Sequence, residues 1–326
     1  KLAAWSEHFA GKMRSVVFDE AQELRRTGNL RWPAAWTVAA AAKFRLGLSA
    51  TPVYNYGGEA YNILEVTNPG TLGNRMEFET EWCRSLYNKT ILKDPQAFGA
   101  YIREIGIFLR RTRKDVQREL PVVIPVVHQV EADLGYINDV KDAAVQLARI
   151  ILAKTGTGFE KFKASGELDY RLRQATGLAK APYVAAFVRM LLEENDEPLI
   201  LVGWHRAVYD IWLNLLRDFN PVLFTGTESP AQKEQSKQTF ISGKSKVMVL
   251  SLRSGTGVDG FQGHSHRIVF GELDWSPAVH EQNIGRLSRD GMGKEPVVAF
   301  YLVTNYGSDP VILDVLGVKK GQLEGI

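Results

Sequence analysis

The sequence predicts an α/β protein in which parallel strands are covered by helices. Between residues 199 and 303, short apolar runs alternate with amphipathic helical patterns, and this alternation is typical of a parallel sheet with helices on both faces. A shorter strand–helix–strand pattern lies in residues 16–48. The length of 326 residues allows two domains, and no apolar run approaches the roughly 20 residues that a membrane helix requires. We therefore expect two α/β domains and no membrane partner.

The elements of the second half follow from periodicity and from proline. Val208, Ile211, Trp212 and Leu215 recur at helical spacing and predict a helix directly after a buried strand. Proline suits the first turn of a helix, so further helices are expected to begin at Pro230 and near Pro277. The predicted strands in this half are 199–202, 222–225, 246–251, 267–270 and 297–303.

The first half contains only part of a similar unit. Residues 16–18 predict a buried strand and residues 44–48 a second strand, and Pro33 opens an alanine-rich helix over 34–43 between them. Because two strands are too few for a covered parallel sheet, we expect further structure to precede Lys1. Residues 53–180 carry mostly helical patterns, including 141–153. Another helix should begin at Pro182, and a domain boundary should lie near the β-branched run 122–124.

Net charge and cysteine content restrict the possible partners and metal sites of this chain only slightly. The net charge of +3 does not by itself indicate a nucleic-acid partner. A single cysteine, Cys83, excludes an internal disulfide and any zinc site built from cysteines, and it fits a reducing cytosol. The one dense basic cluster, residues 110–114, reads either as a solvated helix end or as a contact for phosphates.

An acidic pair follows the first predicted strand. Asp19 and Glu20 stand where nucleoside-triphosphate motors place one carboxylate on the magnesium ion and a second on the attacking water. The same pattern also occurs in solvated turns, so it needs support from other segments.

The phosphate loop that such a motor requires is absent from this sequence. Residues 243–245 (GKS) lack the glycine five positions earlier and follow a predicted helix, whereas residues 154–158 carry the lysine on the wrong side. We therefore expect that the 326-residue chain by itself does not hydrolyse ATP.

Three further segments contain residue types that can bind phosphates or can hydrogen-bond a carboxylate at the phosphate site. Residues 46–52 (LGLSATP) end a strand with Ser49 and Thr51, which can hydrogen-bond a neighbouring carboxylate or simply close a turn. The glycine-rich loop 254–260 follows strand 246–251 and can bring backbone amides close to a phosphate, or it is a plain connection.

The third segment carries two arginines. Gln282, Arg286 and Arg289 are spaced at i, i+4 and i+7, so a helix over 278–290 would place all three on one face. Two guanidinium groups there could clamp phosphate oxygens, or they could form surface ion pairs.

Taken together, these segments resemble the Swi/Snf-type, chromatin-remodeller-like ATPases of helicase superfamily two. Residues 19–22 (DEAQ) are similar to the family's DEAx segment, and LGLSATP is similar to its third motif. The resemblance extends to about Lys320. Other similar segments, in the family's order, are 68–73, 108–116, 172–174, 224–227, 275–277 and 282–289.

The resemblance implies two RecA-like motor lobes that couple ATP hydrolysis to movement on double-stranded DNA, with ATP and Mg²⁺ as cofactors. It implies an incomplete first lobe with a helical insertion over 1–125, a helical linker over 126–180 and a second lobe over 181–326. It also implies a cytoplasmic, nucleoid-associated location, or a nuclear one in a eukaryote.

The resemblance also implies residue roles. Asp19 would hold Mg²⁺ through water, and Glu20 would activate the attacking water. The residues that would couple this site to DNA are Gln22, Ser49 and Thr51. The second lobe would contact the nucleotide through Gly257, Asp259, Gln282, Arg286 and Arg289, with the two arginines acting in catalysis. The implied DNA contacts are Arg111, Arg113, Lys114, Arg253 and Ser254.

Two other classes of function remain open. A non-catalytic scaffold or DNA-binding module could keep the motor's shape, although the presence of Asp19, Glu20 and both arginines argues against it. A strand-separating or RNA helicase of the same superfamily is disfavoured by the helical segments around 60–180.

Overall fold

The computed structural model describes residues 2–49, 58–86, 89–111, 121–153, 157–253, 260–289, 293 and 295–324. The chain divides into two compact units. The first comprises Lys1–Thr112, Ser276–Ala278 and Val315–Ile326, and the second comprises Arg113–Trp275 and Val279–Asp314. The predicted domain limits after residues 125 and 180 fall inside a strand and inside a helix. The division into two compact units does not test the assignment of three domains, which stays a prediction.

The first unit contains two small sheets among short helices. Its elements up to residue 112 are α1 (Leu2–Phe9), β1 (Ser15–Phe18), a 3₁₀ helix (Ala21–Arg25), α2 (Arg31–Ala39), β2 (Phe44–Gly47), α3 (Glu59–Thr67), α4 (Arg75–Trp82), β3 (Cys83–Leu86), β4 (Lys89–Leu92) and α5 (Pro95–Glu104).

Strands β1 and β2 pair in parallel, as the sequence predicts, with Ser15 opposite Phe44 and Phe18 opposite Gly47. Phe18 packs against the core that the 3₁₀ helix, α2 and α3 form. The other face of the pair is open, since Val17 is 58% exposed and Leu46 is 52% exposed. The expectation of a buried strand at residues 16–18 is therefore wrong, because within the described residues helices cover only one face of this pair.

Strands β3 and β4 form a hairpin in a region where the sequence predicts helical structure. The strands pair antiparallel, with Cys83 opposite Leu92, and both of these side chains are buried. They pack in a second core with Phe78 and Phe98 from α4 and α5. Four-residue strands contain too few alternating positions for the period of two to stand out.

The second unit is built around one parallel sheet of six strands. Its elements are β5 (Val123–Gln129), α6 (Leu134–Asp139), α7 (Lys141–Leu152), α8 (Gly158–Asn195), β6 (Leu199–Gly203), α9 (Arg206–Leu215), a 3₁₀ turn (Arg217–Phe219), β7 (Val222–Phe224), α10 (Pro230–Ile241), β8 (Val247–Ser251), β9 (Arg267–Phe270), α11 (Pro277–Ile284), β10 (Val297–Val303) and α12 (Asp309–Glu324), the last element crossing into the first unit.

The strand order is β5-β10-β9-β6-β8-β7, and all pairs are parallel. Every residue of β6, β8 and β9 is buried, so both faces of the central sheet are covered, as the sequence predicts. The carboxyl ends of these strands form one edge of the sheet, which is where ligands bind in folds of this type.

Trp212 of α9 anchors this edge. Its indole is fully buried in the core that α8 and α9 form on the sheet. A Cβ atom at Gly203 would lie 2.7 Å from the Trp212 ring, and one at Gly271 would lie 2.5 Å from it. Glycine at these two strand ends therefore makes room for the indole, which holds α9 against β6 and β9.

Helix α8 is 38 residues long and contains Pro182, so the prediction that a helix begins at Pro182 is wrong. Proline inside a helix removes one hydrogen bond and costs about 3 kcal/mol. Here the helix continues because Ala181, Val184 and Val188 are buried against the sheet. Tertiary packing thus outweighs the local preference of proline. Among the described residues, no helix is both long and apolar enough to cross a membrane.

Candidate active site

The ends of β1 and β2 bring two predicted segments together in the first unit. The backbone N–H of Leu48 donates to the carbonyl of Phe18, and that of Ala21 donates to the carbonyl of Leu48, both at 2.8 Å. A Cβ atom at Gly47 would lie 3.0 Å from the Cβ atom of Ala21. The residues that follow the two strands therefore pack side by side.

Glu20 occupies a backbone conformation that non-glycine residues rarely adopt. Its φ is 52° and its ψ is 48°, in the left-handed region. This turn connects β1 to the buried 3₁₀ helix Ala21–Arg25 and leaves the Glu20 side chain partly exposed. Strained residues of this kind cluster at functional sites, where the surrounding structure holds them in place.

Gln22 connects Glu20 to Ser49. The Gln22 side chain is almost fully buried, and its Nε2 donates to the carboxylate of Glu20. Its Oε1 accepts a hydrogen bond from the Ser49 hydroxyl at 2.5 Å. Glu20, Gln22 and Ser49 thus form one continuous hydrogen-bonded chain. Thr51, which is also expected at this site, lies outside the described residues.

Asp19 is exposed at the end of β1. Its Oδ1 accepts the backbone N–H of Glu20 at 2.9 Å, which orients the carboxylate. Magnesium in proteins is held by one or two carboxylates together with water and phosphate oxygens. A single exposed and oriented carboxylate therefore fits a magnesium ion that also binds phosphates. No group of three or more metal-binding side chains exists among the described residues.

In the second unit, the predicted helix over 278–290 is shorter than expected. Helix α11 ends at Ile284, and residues 285–289 form turns in which Arg286 N–H donates to Asn283 O and Leu287 N–H donates to Ile284 O. Gly285, a poor helix former, stands at the end of the helix. The prediction that three side chains share one helical face is therefore wrong.

The two arginines of this segment differ in environment. Arg286 is 7% exposed, and its burial, with a smaller contribution from the charge of Arg289, lowers the pKa of its guanidinium to about 10. Arg289 is exposed, and its Nε donates to the carbonyl of Gly285 at 2.8 Å. Gln282 is partly buried. Asn283 ties the segment to the end of β8 by donating to Leu252 O at 3.0 Å.

Of the predicted DNA contacts, Arg111 is exposed and Arg253 is partly engaged by Asp274. The other predicted residues of the basic cluster and of the glycine-rich loop lie outside the described residues; they are Arg113, Lys114, Ser254, Gly257 and Asp259.

Sequence reasoning missed two buried carboxylates beside this edge. Glu272 and Asp274 follow β9 and are 4% and 0% exposed. Glu272 binds the backbone N–H groups of Trp204 and His205, and Asp274 binds Arg253. The signal was available, because acids that follow a buried strand are the same pattern that singled out Asp19 and Glu20.

The fold is an α/β fold in which an acidic pair follows the parallel strand β1. The family model of the SNF2-related domain matches residues 4–175, more than half of the chain, and the chain belongs to this family. The predicted Swi/Snf-type resemblance is thereby confirmed.

Two curated relatives illustrate the match. The DNA repair protein rhp54 of Schizosaccharomyces pombe is 24% identical over 93% of this chain and 41% of its own length. The SWI/SNF-related matrix-associated actin-dependent regulator of chromatin subfamily A-like protein 1 of Drosophila melanogaster is 25% identical over 97% of this chain and 42% of its own length. The chain thus spans less than half of either relative.

Solved structures support the fold. The SWI2/SNF2 ATPase core domain of Sulfolobus solfataricus has a TM-score of 0.52 and 18% identity, covering 95% of this chain and 66% of that one. The same core in complex with double-stranded DNA has a TM-score of 0.50 and 17% identity, covering 95% and 67%. These likenesses confirm the predicted α/β, RecA-like fold class.

Proposed function

We propose that this chain is the motor portion of a DNA-dependent ATPase that moves along double-stranded DNA. The observation that carries the proposal is the hydrogen-bonded chain from Glu20 through Gln22 to Ser49 at the ends of two parallel strands. A scaffold has no use for a strained acid held by a buried amide, so this arrangement favours a motor.

Within the proposal, Asp19 and Glu20 have separate tasks. Asp19 would hold Mg²⁺, which neutralises charge on the β- and γ-phosphate oxygens when it is bound. Glu20 would accept a proton from the attacking water, and its orientation is set by its left-handed backbone and by Gln22. Because Ser49 also binds Gln22, a shift of the segment after β2 would alter the position of the Glu20 carboxylate.

The arginines supply positive charge in this proposal. We assign the contact with phosphate oxygens to Arg289, whose side chain is exposed, and a supporting role to Arg286, which is buried. A guanidinium is suited to both tasks because it stays charged and offers a planar fork of donors.

Double-stranded DNA is the proposed track. The description of one solved relative as bound to double-stranded DNA supports this choice. The contacts would be to phosphates, which act without regard to sequence. They are assigned to the basic cluster around Arg111 and to the strand-end residues around Arg253. The sequence of this chain contains no phosphate loop, so we also propose that the 326-residue chain alone does not hydrolyse ATP.

The test is the DNA-stimulated ATPase rate of the full-length protein carrying Glu20→Gln. The loss of turnover should be on the order of 100-fold or more, with ATP binding retained, because the positioned base is removed and the fold is not. Glu23→Gln is the matched control. Glu23 lies in the 3₁₀ helix that Glu20 precedes, but it pairs with Arg25 and Arg31, so its variant should turn over normally.

Translocation is tested separately. The full-length protein should displace a third strand from a DNA triplex in the presence of ATP and should leave a forked duplex unseparated. Separation of the forked duplex would favour a helicase that unwinds DNA over a translocase.

In the ATPase test, normal turnover by Glu20→Gln would contradict the proposed site.

A further inference from the structure

One buried carboxylate fixes the residues that follow β6 in the second unit. Glu272 Oε2 accepts the backbone N–H groups of Trp204 at 2.7 Å and of His205 at 3.0 Å. Its Oε1 lies 2.6 Å from His205 Nδ1. Both the carboxylate and the imidazole are almost fully buried. The position of the Trp204 backbone is thereby set by a residue that follows β9.

A second buried carboxylate fixes an arginine beside this tryptophan. The Nε and Nη2 atoms of Arg253 lie 2.9 Å and 2.8 Å from Asp274 Oδ2. The guanidinium carbon lies 5.4 Å from the centre of the Trp204 ring, within cation–π range. The Asp274 side chain is 1% exposed, whereas that of Arg253 is 48% exposed.

The Arg253 guanidinium is therefore held on one edge by Asp274 and on one face by Trp204. Its Nη1 atom makes no hydrogen bond to any residue that the structure describes. A fixed, exposed and permanently charged donor suits an anionic oxygen, and little side-chain freedom remains to be lost when the oxygen binds. Arg253 and Trp204 follow two adjacent parallel strands, at the edge where ligands bind in such sheets.

We propose that Asp274 and Glu272 are positioning residues that hold Arg253 and Trp204 against the backbone of duplex DNA, with Arg253 Nη1 donating to a phosphate oxygen. The inference rests on the proposed function in taking duplex DNA as the ligand and Arg253 as one of its contacts. It adds the contact made by Trp204 and the two acids that determine how tightly DNA binds.

The opposite edge of the same sheet carries a matched pair that should have no such role. Glu197 Oε1 accepts the backbone N–H of His266 at 2.8 Å and lies 3.2 Å from His266 Nδ1. Its Oε2 lies 3.2 Å from Arg267 Nε, and the Arg267 side chain is only 7% exposed. Arg267 also donates to the carbonyl of Leu191. This carboxylate ties an arginine into the interior rather than presenting it to a ligand.

The experiment measures binding of the full-length protein to a short labelled DNA duplex over a series of salt concentrations, together with DNA-stimulated ATPase. Arg253→Ala should weaken binding by about 10-fold and flatten the salt dependence by about one unit, as the loss of one phosphate contact predicts. Asp274→Asn should weaken binding in the wild-type background and add nothing in the Arg253→Ala background. Glu272→Gln should raise the DNA concentration for half-maximal ATPase and leave turnover at saturating DNA unchanged.

Controls separate positioning from general stability. Glu197→Gln should keep both the affinity and the salt slope, even if its melting temperature falls. Arg253→Lys keeps the charge and loses the fork, so it should bind more weakly than wild type with an unchanged salt slope. This exposed variant tests the proposal even if Asp274→Asn does not fold.

Three results overturn the proposal while leaving the proposed ATPase and its binding of duplex DNA intact, although the first of them also removes Arg253 from the assigned DNA contacts. They are unchanged DNA binding by Arg253→Ala, an equal effect of Asp274→Asn with and without Arg253, and an effect of Glu197→Gln that matches that of Glu272→Gln. Failure of the unaltered protein to bind duplex DNA would overturn both.

Discussion

The left-handed backbone of Glu20 leads to a prediction about the relative stability of glycine and alanine at this position. For a residue with a Cβ atom, this conformation costs roughly 1–2 kcal/mol, and glycine avoids that cost. Against this, glycine lowers the free energy of unfolding by about 0.5–1 kcal/mol relative to alanine, because its unfolded chain has more conformational freedom to lose on folding. Glu20→Gly should therefore be more stable than Glu20→Ala by about 0.5–1 kcal/mol. Both variants lack the carboxylate that binds Gln22, so this loss cancels in the comparison.

Glu23 is the matched control position, because it lies in the 3₁₀ helix and its φ is not positive. There Glu23→Gly should be less stable than Glu23→Ala by about 0.5–1 kcal/mol. The order of glycine and alanine should thus reverse between two positions three residues apart.

The assay is urea unfolding followed by tryptophan fluorescence. Trp32 and Trp36 stack at 5.7 Å and pack on the core that contains Ala21, so their emission reports on this region. Both Glu20 variants should also lose DNA-stimulated ATPase activity. If glycine is no more stable than alanine at position 20, the left-handed turn does not store strain and the reasoning fails.

Other predictions concern the second unit. Lys180→Met should lower the free energy of unfolding by about 3–5 kcal/mol, because it leaves Asp309 buried without the ammonium group 2.6 Å away, and adding Asp309→Asn should recover part of the loss in a urea titration. Burial, and to a smaller extent the charge of Glu281, raises the pKa of Tyr301 to about 12. The stability that the neutral Tyr301 side chain contributes to the fold is therefore fully present below pH 10 and is lost as the pH rises through 12. Tyr301→Phe should therefore lose less stability than wild type between these pH values, by on the order of 2–3 kcal/mol, and equal losses would place Tyr301 at the surface. Arg289→Lys should lower ATP turnover of the full-length protein by on the order of 1,000-fold with nucleotide affinity nearly retained, and full activity would remove Arg289 from the site.

Much of the fold could be predicted because its signals are local. The apolar runs of β6 and β8 predicted strands buried on both faces, and the structure buries every residue of both. Ser229 and Pro230 start α10 with a capping box, as the proline predicted. The hydrophobic period over 208–215 predicted α9 because burial of one helical face follows directly from that spacing.

Where local signals conflicted with packing, the predictions were wrong. Pro182 indicated a helix start, but it lies inside α8 because its neighbours are buried against the sheet. The spacing of Gln282, Arg286 and Arg289 indicated one helical face, but the helix ends at Ile284. Spacing indicates which residues share a face only if the helix continues through all of them, and the sequence does not show where the helix ends.

By itself, the sequence determined which residues carry the chemistry of the proposed site, since Asp19 and Glu20 follow a strand and Ser49 follows its neighbour. Tertiary structure alone decided how they are connected. Gln22 reaches Ser49 across 27 residues, and Glu272 reaches His205 across 67. Periodicity reports burial within one element, whereas a hydrogen bond between two loops depends on the register of the strands that carry them. Only the packed sheet sets that register.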